Sequence, residues 1–353
     1  MLRGLKHKFR AFGRKLWRSL ASHVPLLGDG DVTVPKGRTH VILLDGTLYS
    51  LRPGYETSIG LIFRLLGKTT AKRTLYYAPG LQWGDWRSNL RVLTGQGLGH
   101  QIRHAYGALA MRYADGDEIF IFGYSRGAFA ARSLCGMIDE VGLLRADAAT
   151  PRNIATMWRL YQAKRQSPVV TNTLCRRPVP IKFLGVLDTV SALGLRIPIL
   201  WRFLPNQYSF HSHHVCDNIQ AAFHALALDE TRLAYAPECW DFDHIPLGTR
   251  VEQVWFRGSH GDIGGHLGDA HQVRPLSNIP LTWLLERAEE QGLDLPDRWR
   301  DQFPTDITAP SLGTRRGVGR FLLFRAKRRV ALSDHEWIHP SIGSTQMKEY
   351  LHD

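Results

Sequence analysis

A glycine-rich turn around Ser125 is the first feature of this 353-residue sequence with residue types suited to catalysis. Residues 123–127 read GYSRG, after the apolar run IFIF and before a stretch rich in small residues. A strand, the pattern G-x-S-x-G and then a helix form the context of a nucleophile elbow, a strained turn that lifts the serine hydroxyl above the sheet. The pattern therefore favours a nucleophile, and the alternative is a serine that only caps the helix.

An acid and a histidine follow two later apolar runs. Asp188 follows the run 181–187, and His260 follows the run 251–256 within a glycine-rich loop. The order Ser, Asp, His along the chain is that of an α/β-hydrolase. A serine hydroxyl needs a base to take its proton, and a carboxylate then orients the imidazole. We therefore predict Ser125 as nucleophile, His260 as base and Asp188 as acid, while a helix cap or turn former is the other interpretation of Asp188.

Backbone amides beside the predicted nucleophile would complete such a site. Asp45, Gly46 and Thr47 follow the first apolar run, and a glycine there can bring its amide beside Ser125. We predict that the amides of Gly46 and Arg126 hold the developing oxyanion. We assign Asp45 and Thr47 to support of the site, although a plain turn with an Asx hydrogen bond explains Asp45 equally well.

A cluster of histidines and carboxylates supports an alternative in which a metal ion does the chemistry. Imidazole and carboxylate groups are ligands of zinc and of harder ions. The cluster consists of five residues in the loop 260–271 and three earlier histidines: His260, Asp262, His266, Asp269, His271, His211, His213 and His214. Their spacing matches no recognised metal motif, so we predict no metal and no other cofactor, and we assign Asp262 to support of the site.

The elements that must position these residues alternate between strand and helix. The predicted strands are 40–44, 74–78, 118–122, 181–187 and 251–256. The predicted helices are 58–66, 99–113, 128–138, 153–164, 214–228 and 278–291. This alternation predicts an α/β-hydrolase-like fold, with a mostly parallel sheet and helices on both faces. Ligands of such folds bind beyond the carboxyl ends of the strands, where the predicted site residues lie.

Seven sequence blocks resemble successive segments of one protein family. They read HVILLDGT, YYAPG, IFIFGYSRGAFAARSLCGMI, FLGVLDTV, HALALDETR, VWFRGSHGDIGG and WIHPSI, and they span roughly residues 40–343. Together they resemble the α/β-hydrolase domain of the first class of type VI secretion phospholipase effectors. The resemblance implies a serine-dependent enzyme that cleaves fatty acyl esters of phospholipids. It also implies Ser125 as nucleophile, Asp188 as acid and His260 as base.

The positive charge of the chain is concentrated in two segments. The chain has 45 Lys and Arg against 32 Asp and Glu, a formal net charge of +13. Residues 1–20 and 312–330 each hold 7 basic residues and no acidic one, and the rest of the chain is nearly neutral. This distribution argues against a body that coats nucleic acid over its whole surface. The hydrophobic content of 44% excludes a disordered polymer.

We divide the chain into a basic N-terminal segment, 1–38, and a catalytic domain, 39–353, in which 312–330 is a second basic and apolar segment. Apolar residues of the N-terminal segment recur at three- and four-residue intervals: Leu2, Leu5, Phe9, Phe12, Leu16 and Leu20. This pattern favours an amphipathic helix in the headgroup layer of an anionic membrane. The alternatives are an unfolded tail, a helix docked on the same chain, an RNA-adhesive patch and a transit peptide.

The remaining expectations concern location and access. Residues 191–205 are apolar, and we expect them either to cover the core or to form a mobile lid over an acyl pocket. No apolar run is long enough to cross a bilayer, and the N-terminus lacks the features of a signal peptide. We expect a cytoplasmic protein with peripheral membrane contact and no specific nucleic-acid partner. The alternative is export by a route that needs no signal peptide. A catalytically inactive, membrane-associated scaffold is the non-enzymatic alternative.

Overall fold

The computed structural model of the protein describes six stretches of the chain. They are residues 37–46, 51–80, 96–190, 214–315, 324–330 and 333–342. All of them belong to one unit, Gly37–Asp353. The predicted amphipathic helix at the N-terminus, Thr47, the predicted lid at 191–205 and the middle of the segment 312–330 lie outside the described residues.

A parallel sheet forms the centre of the described structure. The strands are β1 Thr39–Leu44, β2 Arg73–Ala78, β3 Glu118–Tyr124, β4 Leu143–Leu144, β5 Cys175–Arg176, β6 Phe183–Leu187, β7 Ala221–Ala227, β8 Arg250–Phe256 and β9 Glu336–Ile338. Within the described residues, seven of these form one sheet in the order β2-β1-β3-β6-β7-β8-β9, with parallel neighbours. The short strands β4 and β5 form a separate antiparallel pair.

Helices cover both faces of this sheet. They are α1 Ser58–Leu66, α2 Gln96–Ala110, α3 Arg126–Val141, α4 Pro151–Gln162, α5 Pro168–Leu174, α6 His260–Gly264 and α7 Arg274–Glu290. Apolar side chains of α2, α3 and α4 belong to one buried cluster, and those of α1 and α7 belong to the other. Because strands covered on both faces need apolar side chains on both, they have continuous apolar sequences. The predicted α/β-hydrolase-like fold is confirmed.

The strand β7 corrects one prediction, because the sequence pattern at 214–228 predicts a helix. The strand sequence AAFHALA is rich in alanine, the strongest helix former. In the fold, β7 lies between β6 and β8, and all seven of its residues are buried. Small side chains suit a strand that is covered on both faces, so tertiary packing overrides local propensity. The short strand β9 is likewise not predicted by the sequence pattern.

Within the described part of the chain, no helix combines the length and the apolar character needed to span a bilayer.

The sheet brings the predicted site residues to one edge, which we call the carboxyl edge because β1, β3, β6, β7 and β8 end there. Ser125 follows β3 directly, Asp188 follows β6 directly, and His260 lies shortly after β8. Backbone hydrogen bonds continue past the strand ends. The Ser125 N–H donates to Leu187 O at 3.0 Å, and the Asp188 N–H donates to Ala225 O at 2.7 Å. The parallel pairing therefore fixes the spacing of these residues before any side chain is placed.

Candidate active site

The side chains of Ser125, His260 and Asp188 form a continuous chain of hydrogen bonds. His260 Nε2 lies 2.9 Å from Ser125 Oγ, and His260 Nδ1 lies 2.6 Å from Asp188 Oδ2. All three residues are buried. The fold thus brings together the residues predicted as nucleophile, base and acid, although 135 positions separate the serine from the histidine. A hydroxyl, an imidazole and a carboxylate in this order can carry out nucleophilic acyl transfer.

The turn at Ser125 has the strained backbone that the sequence pattern predicts. Ser125 caps α3 with φ 57° and ψ −124°, a backbone conformation that residues other than glycine rarely adopt. A Cβ atom on Gly127 would lie 2.1 Å from Leu44 O, and one on Gly123 would lie 2.6 Å from the Ala128 Cα. Both flanking positions therefore need glycine, because the turn packs directly against the end of β1 and against its own helix.

Two aromatic rings and a buried carboxylate hold His260 in place. The rings of Tyr124 and Tyr235 lie with their centroids 4.9 Å and 4.7 Å from that of the imidazole. The Tyr124 hydroxyl donates to His260 O at 2.9 Å, and the His260 N–H donates to Glu230 Oε2 at 3.1 Å. The position of the imidazole is thus fixed through both its ring and its backbone.

Glu230 is a site residue that the sequence interpretation misses. Its carboxylate accepts from Arg232 Nε at 2.8 Å and from Arg232 Nη2 at 2.6 Å. Burial alone would raise the pKa of Glu230, but the hydrogen bonds and charge of Arg232 outweigh it and hold the pKa below its ordinary value. Glu230 follows β7, so recognition of that strand would have placed an acid at the carboxyl edge.

Asp188 is held by a cation as well as by the histidine. It has φ 40°, and its Oδ1 accepts the Ala227 N–H at 3.0 Å. Arg328 Nη1 lies 2.5 Å from Asp188 Oδ1, and Arg328 Nη2 lies 3.0 Å from Oδ2. Burial would raise the pKa of Asp188, but the Arg328 charge and the His260 hydrogen bond hold it well below its usual range. Arg328 is also missed, since nothing local distinguishes it from the other cations of 312–330.

Asp45 and Gly46 contact each other at the end of β1. The Gly46 N–H donates to Asp45 Oδ1 at 2.8 Å. The other carboxylate oxygen accepts from the Thr57 hydroxyl at 2.7 Å and from the Tyr77 hydroxyl at 2.8 Å. Burial raises the pKa of Asp45 to about 6 despite these hydrogen bonds. The carboxylate therefore connects β1 to neighbouring elements rather than closing only a local turn.

The two amides predicted to hold the oxyanion have different surroundings. Arg126 begins the helix α3, where the helix dipole favours negative charge. The Gly46 amide is engaged by the Asp45 carboxylate in this conformation. Gly46 would therefore have to exchange that hydrogen bond for one to a substrate oxygen.

Asp262 supports the start of α6, since His260 is the first residue of this short helix and does not lie in a loop as the sequence pattern predicts. Its carboxylate accepts the Ser259 N–H at 2.7 Å and the Ser259 hydroxyl at 2.8 Å. It also accepts the Ser311 hydroxyl at 2.6 Å and the Leu312 N–H at 2.8 Å. These bonds fix the start of α6 and tie it to the beginning of the second basic segment. Asp262 thus acts on the backbone around the histidine.

Two further residues of the alternative metal cluster, Asp269 and His271, contact Tyr55. The Tyr55 hydroxyl donates to Asp269, and the His271 ring packs edge-on against the Tyr55 ring at 6.2 Å. Within the described residues, no three His, Cys, Asp or Glu side chains form a group that could hold a metal ion. His211 and His213 lie outside the described residues.

Sequence comparison relates the chain to a known family and to a curated relative. The family described as "T6SS, Phospholipase effector Tle1-like, catalytic domain" matches residues 38–287. An uncharacterised protein of Saccharomyces cerevisiae is 28% identical over 235 residues, which are 58% of this chain and 33% of the yeast protein. The chain therefore spans about a third of the length of this curated relative.

Two solved structures show more distant similarity. An uncharacterised protein from Pseudomonas aeruginosa has a TM-score of 0.49 and 16% identity, covering 80% of this chain and 52% of that chain. The Tle1 effector bound to the VgrG spike of the type VI secretion system has a TM-score of 0.39 and 20% identity, covering 69% and 55%. The family match extends over most of the sequence. The chain belongs to the Tle1-like catalytic domains of type VI secretion phospholipase effectors.

Proposed function

We propose that this protein is a serine hydrolase that cleaves fatty acyl ester bonds, above all those of phospholipids. Membership of a phospholipase effector family supports a hydrolase that acts on lipid esters. The observation that carries the finer proposal is the hydrogen-bonded chain from Ser125 through His260 to Asp188, with distances of 2.9 Å and 2.6 Å. No cofactor takes part in the proposed reaction.

The proposed reaction has two acyl-transfer steps. Ser125 Oγ attacks the ester carbonyl while His260 Nε2 takes the hydroxyl proton. Asp188 accepts a hydrogen bond from the Nδ1–H group of the resulting imidazolium. The imidazolium then gives its proton to the leaving alcohol, which departs as the acyl-serine forms. Water, deprotonated by the same imidazole, attacks the acyl group. The fatty acid leaves, and the serine regains its proton.

The oxyanion is proposed to bind at the start of α3. The Arg126 amide lies next to the nucleophile, and the helix N-terminus favours the negative charge that develops there. Gly46 is the proposed second donor. Its N–H now donates to Asp45 Oδ1 at 2.8 Å, so this hydrogen bond must break before the amide can bind the oxyanion. Protonation of the Asp45 carboxyl, whose pKa is raised to about 6 by burial, would weaken that competing bond.

Peripheral contact with an anionic lipid surface is part of the proposal, with a cytoplasmic location. The basic segments 1–20 and 312–330 supply positive charge. Beside the site, Leu233 is 38% exposed and Phe324 is 58% exposed, and the Leu233 N–H donates to Phe324 O at 3.0 Å. Co-sedimentation with vesicles should show binding to anionic lipid that salt weakens. Equal binding to zwitterionic and anionic vesicles would contradict the electrostatic part of the proposal.

The activity is tested with vesicles of defined phospholipids and identification of the released products by mass. The wild-type chain should release fatty acid and lysophospholipid. Ser125→Ala should lower that rate by about a thousandfold or more while the protein stays folded, because the three side chains act as one unit. Ser167→Ala is a matched control, since Ser167 caps α5 without a side-chain hydrogen bond to the helix. A folded Ser125→Ala variant with undiminished hydrolysis would refute the proposal.

A further inference from the structure

Arg328 makes a two-pronged contact with the acid of the proposed site. Its two terminal nitrogens lie 2.5 Å and 3.0 Å from the two carboxylate oxygens of Asp188. The same guanidinium donates to Ala227 O at 2.8 Å and to Tyr235 O at 2.6 Å. The Arg328 side chain is only 5% exposed. A planar guanidinium with four such bonds has its orientation fixed, and it fixes that of the carboxylate.

Backbone pairing holds Arg328 at this position. Residues 324–330 run beside the chain that follows β7. The Leu233 N–H donates to Phe324 O at 3.0 Å, and the Ala326 N–H donates to Thr231 O at 2.8 Å. The cation is therefore built into the site by main-chain bonds on its own segment. A basic side chain that only neutralised the surface would not need such an anchor.

The charges around His260 are balanced in pairs. The titratable and charged groups near it are Ser125, Asp188, Glu230, Arg232, Arg328, Tyr124, Tyr235 and His266. Each of the two carboxylates has its own guanidinium, Arg328 for Asp188 and Arg232 for Glu230. An imidazolium formed during the reaction is therefore the uncompensated positive charge until the oxyanion develops beside it.

We propose that Arg328 is a positioning residue that keeps Asp188 oriented and ionised and, through it, limits how readily His260 holds a proton. This inference rests on the proposed serine hydrolase function. A lone carboxylate behind the imidazole would stabilise the imidazolium strongly, so the base would be protonated over more of the acidic range. The Arg328 cation on the other side of the carboxylate offsets that stabilisation, while the hydrogen bond from His260 Nδ1 to Asp188 is retained.

The test is the pH dependence of the rate at which a fluorophosphonate labels the full-length protein. Arg328→Gln removes the charge, Arg328→Lys keeps it without the two-pronged geometry, and Arg329→Gln removes a neighbouring exposed charge as the matched control. For Arg328→Gln, labelling should slow about tenfold at neutral pH. The acidic limb of its pH–rate profile, where the labelling rate falls as the pH is lowered, should move up by about one pH unit. Arg328→Lys should label more slowly than wild type with its limb unmoved, and Arg329→Gln should match wild type.

Several outcomes would overturn this inference. If the pH–rate profile of Arg328→Gln kept the wild-type position, Arg328 would have a purely structural role. Wild-type labelling by Arg328→Lys at every pH would contradict the part of the proposal in which the two-pronged contact orients Asp188. An equal shift for Arg329→Gln would mean that any charge of the segment has the same effect. If Arg328→Gln does not fold, the Lys and Arg329 variants still decide. Labelling of Ser125→Ala separates the two proposals, because fast labelling of that variant contradicts the serine hydrolase itself.

Discussion

Two hydrogen-bonded sets, each made of a hydroxyl, an imidazole and a carboxylate, lie at opposite edges of the same sheet. The set at the carboxyl edge is the proposed active site, Ser125, His260 and Asp188. At the amino edge, where β1, β2 and β3 begin, His40 Nδ1 lies 2.7 Å from Thr74 Oγ1 and His40 Nε2 lies 2.8 Å from Asp117 Oδ2. The residue types and the hydrogen-bond distances of the two sets are nearly the same. They differ in which ring nitrogen faces the hydroxyl, Nε2 in His260 and Nδ1 in His40, and in the backbone around them.

The hydroxyl residues of the two sets have different backbone conformations. Ser125 has a positive φ and caps a sixteen-residue helix, so amides and a helix dipole face the place where charge would develop. Thr74 is a paired residue within β2. Asp117 also accepts the N–H groups of Arg38 at 2.9 Å and of Ala114 at 2.9 Å, which ties β1 to the loop before β3. The contrast teaches that strain and helix position, more than residue types, mark a catalytic site.

The largest expected difference is in activity after the same change at both edges. Asp188→Asn should lower kcat by about a thousandfold to ten-thousandfold, because an amide cannot hold the imidazole tautomer or stabilise the imidazolium. Asp117→Asn should leave ester hydrolysis unchanged, since no substrate group approaches the amino edge in the proposed reaction. Initial rates on phospholipid vesicles, measured for both variants with circular dichroism as a folding control, check this. Comparable losses in both variants would show that the two edges of the sheet do not differ in catalytic role.

The next effect is on stability at the amino edge. Asp117→Asn should lower the free energy of unfolding by about 1–3 kcal/mol, because His40 and two backbone amides lose a buried, charged acceptor. Urea denaturation of the variant and the wild type measures the difference. If the urea midpoint of unfolding did not change, the hydrogen-bonded set at the amino edge would not stabilise the fold.

A smaller effect concerns Asp45, whose pKa burial raises from 3.8 to about 6. A raised pKa means that the folded state binds the proton more tightly, so the stability from this group is lost as pH rises towards 6. Asp45→Asn lacks this loss. Its free energy of unfolding relative to wild type should therefore improve by about 1 kcal/mol between pH 5 and pH 7.5. Denaturation at both pH values tests this, and a difference that stays constant or changes sign would contradict it.

The smallest expected effect is that of Thr74→Val. The hydroxyl is partly accessible to water, so its loss should cost only about 0.5 kcal/mol of stability and leave hydrolysis unchanged. Denaturation and vesicle hydrolysis measure the two effects. If this variant lost activity as severely as a carboxyl-edge variant, the amino edge would be part of the catalytic machinery.

Most of the fold and the central residues of the site were accessible from the sequence, because each lies next to a strong local signal. Apolar runs mark the strands, and Ser125, Asp188 and His260 follow three of them. The alanine-rich strand β7 has no such signal, since its conformation depends on burial between two neighbours. Glu230 was missed together with it, because its position at the carboxyl edge follows only once β7 is a strand.

Other features depend on contacts between distant parts of the chain. The Asp45 carboxylate, which accepts the Gly46 N–H, also accepts hydrogen bonds from the hydroxyls of Thr57 and Tyr77, and these two residues belong to other parts of the fold. Arg328 is one of seven basic residues between 312 and 330, and only the pairing of its segment with the chain after β7 selects it. Local sequence patterns do not encode such pairings, so these parts of the site required the three-dimensional structure.

The most direct test of the central claim is to map the attachment site of a fluorophosphonate on the folded protein by peptide mass spectrometry. The reagent reacts quickly only with a serine that a nearby base activates. Activation of Ser125 by His260 and Asp188 predicts a single rapid adduct on Ser125 in the wild type and in Asp117→Asn, and a much slower one in Asp188→Asn. Rapid labelling at another residue, or no labelling of the folded wild-type chain, would contradict it.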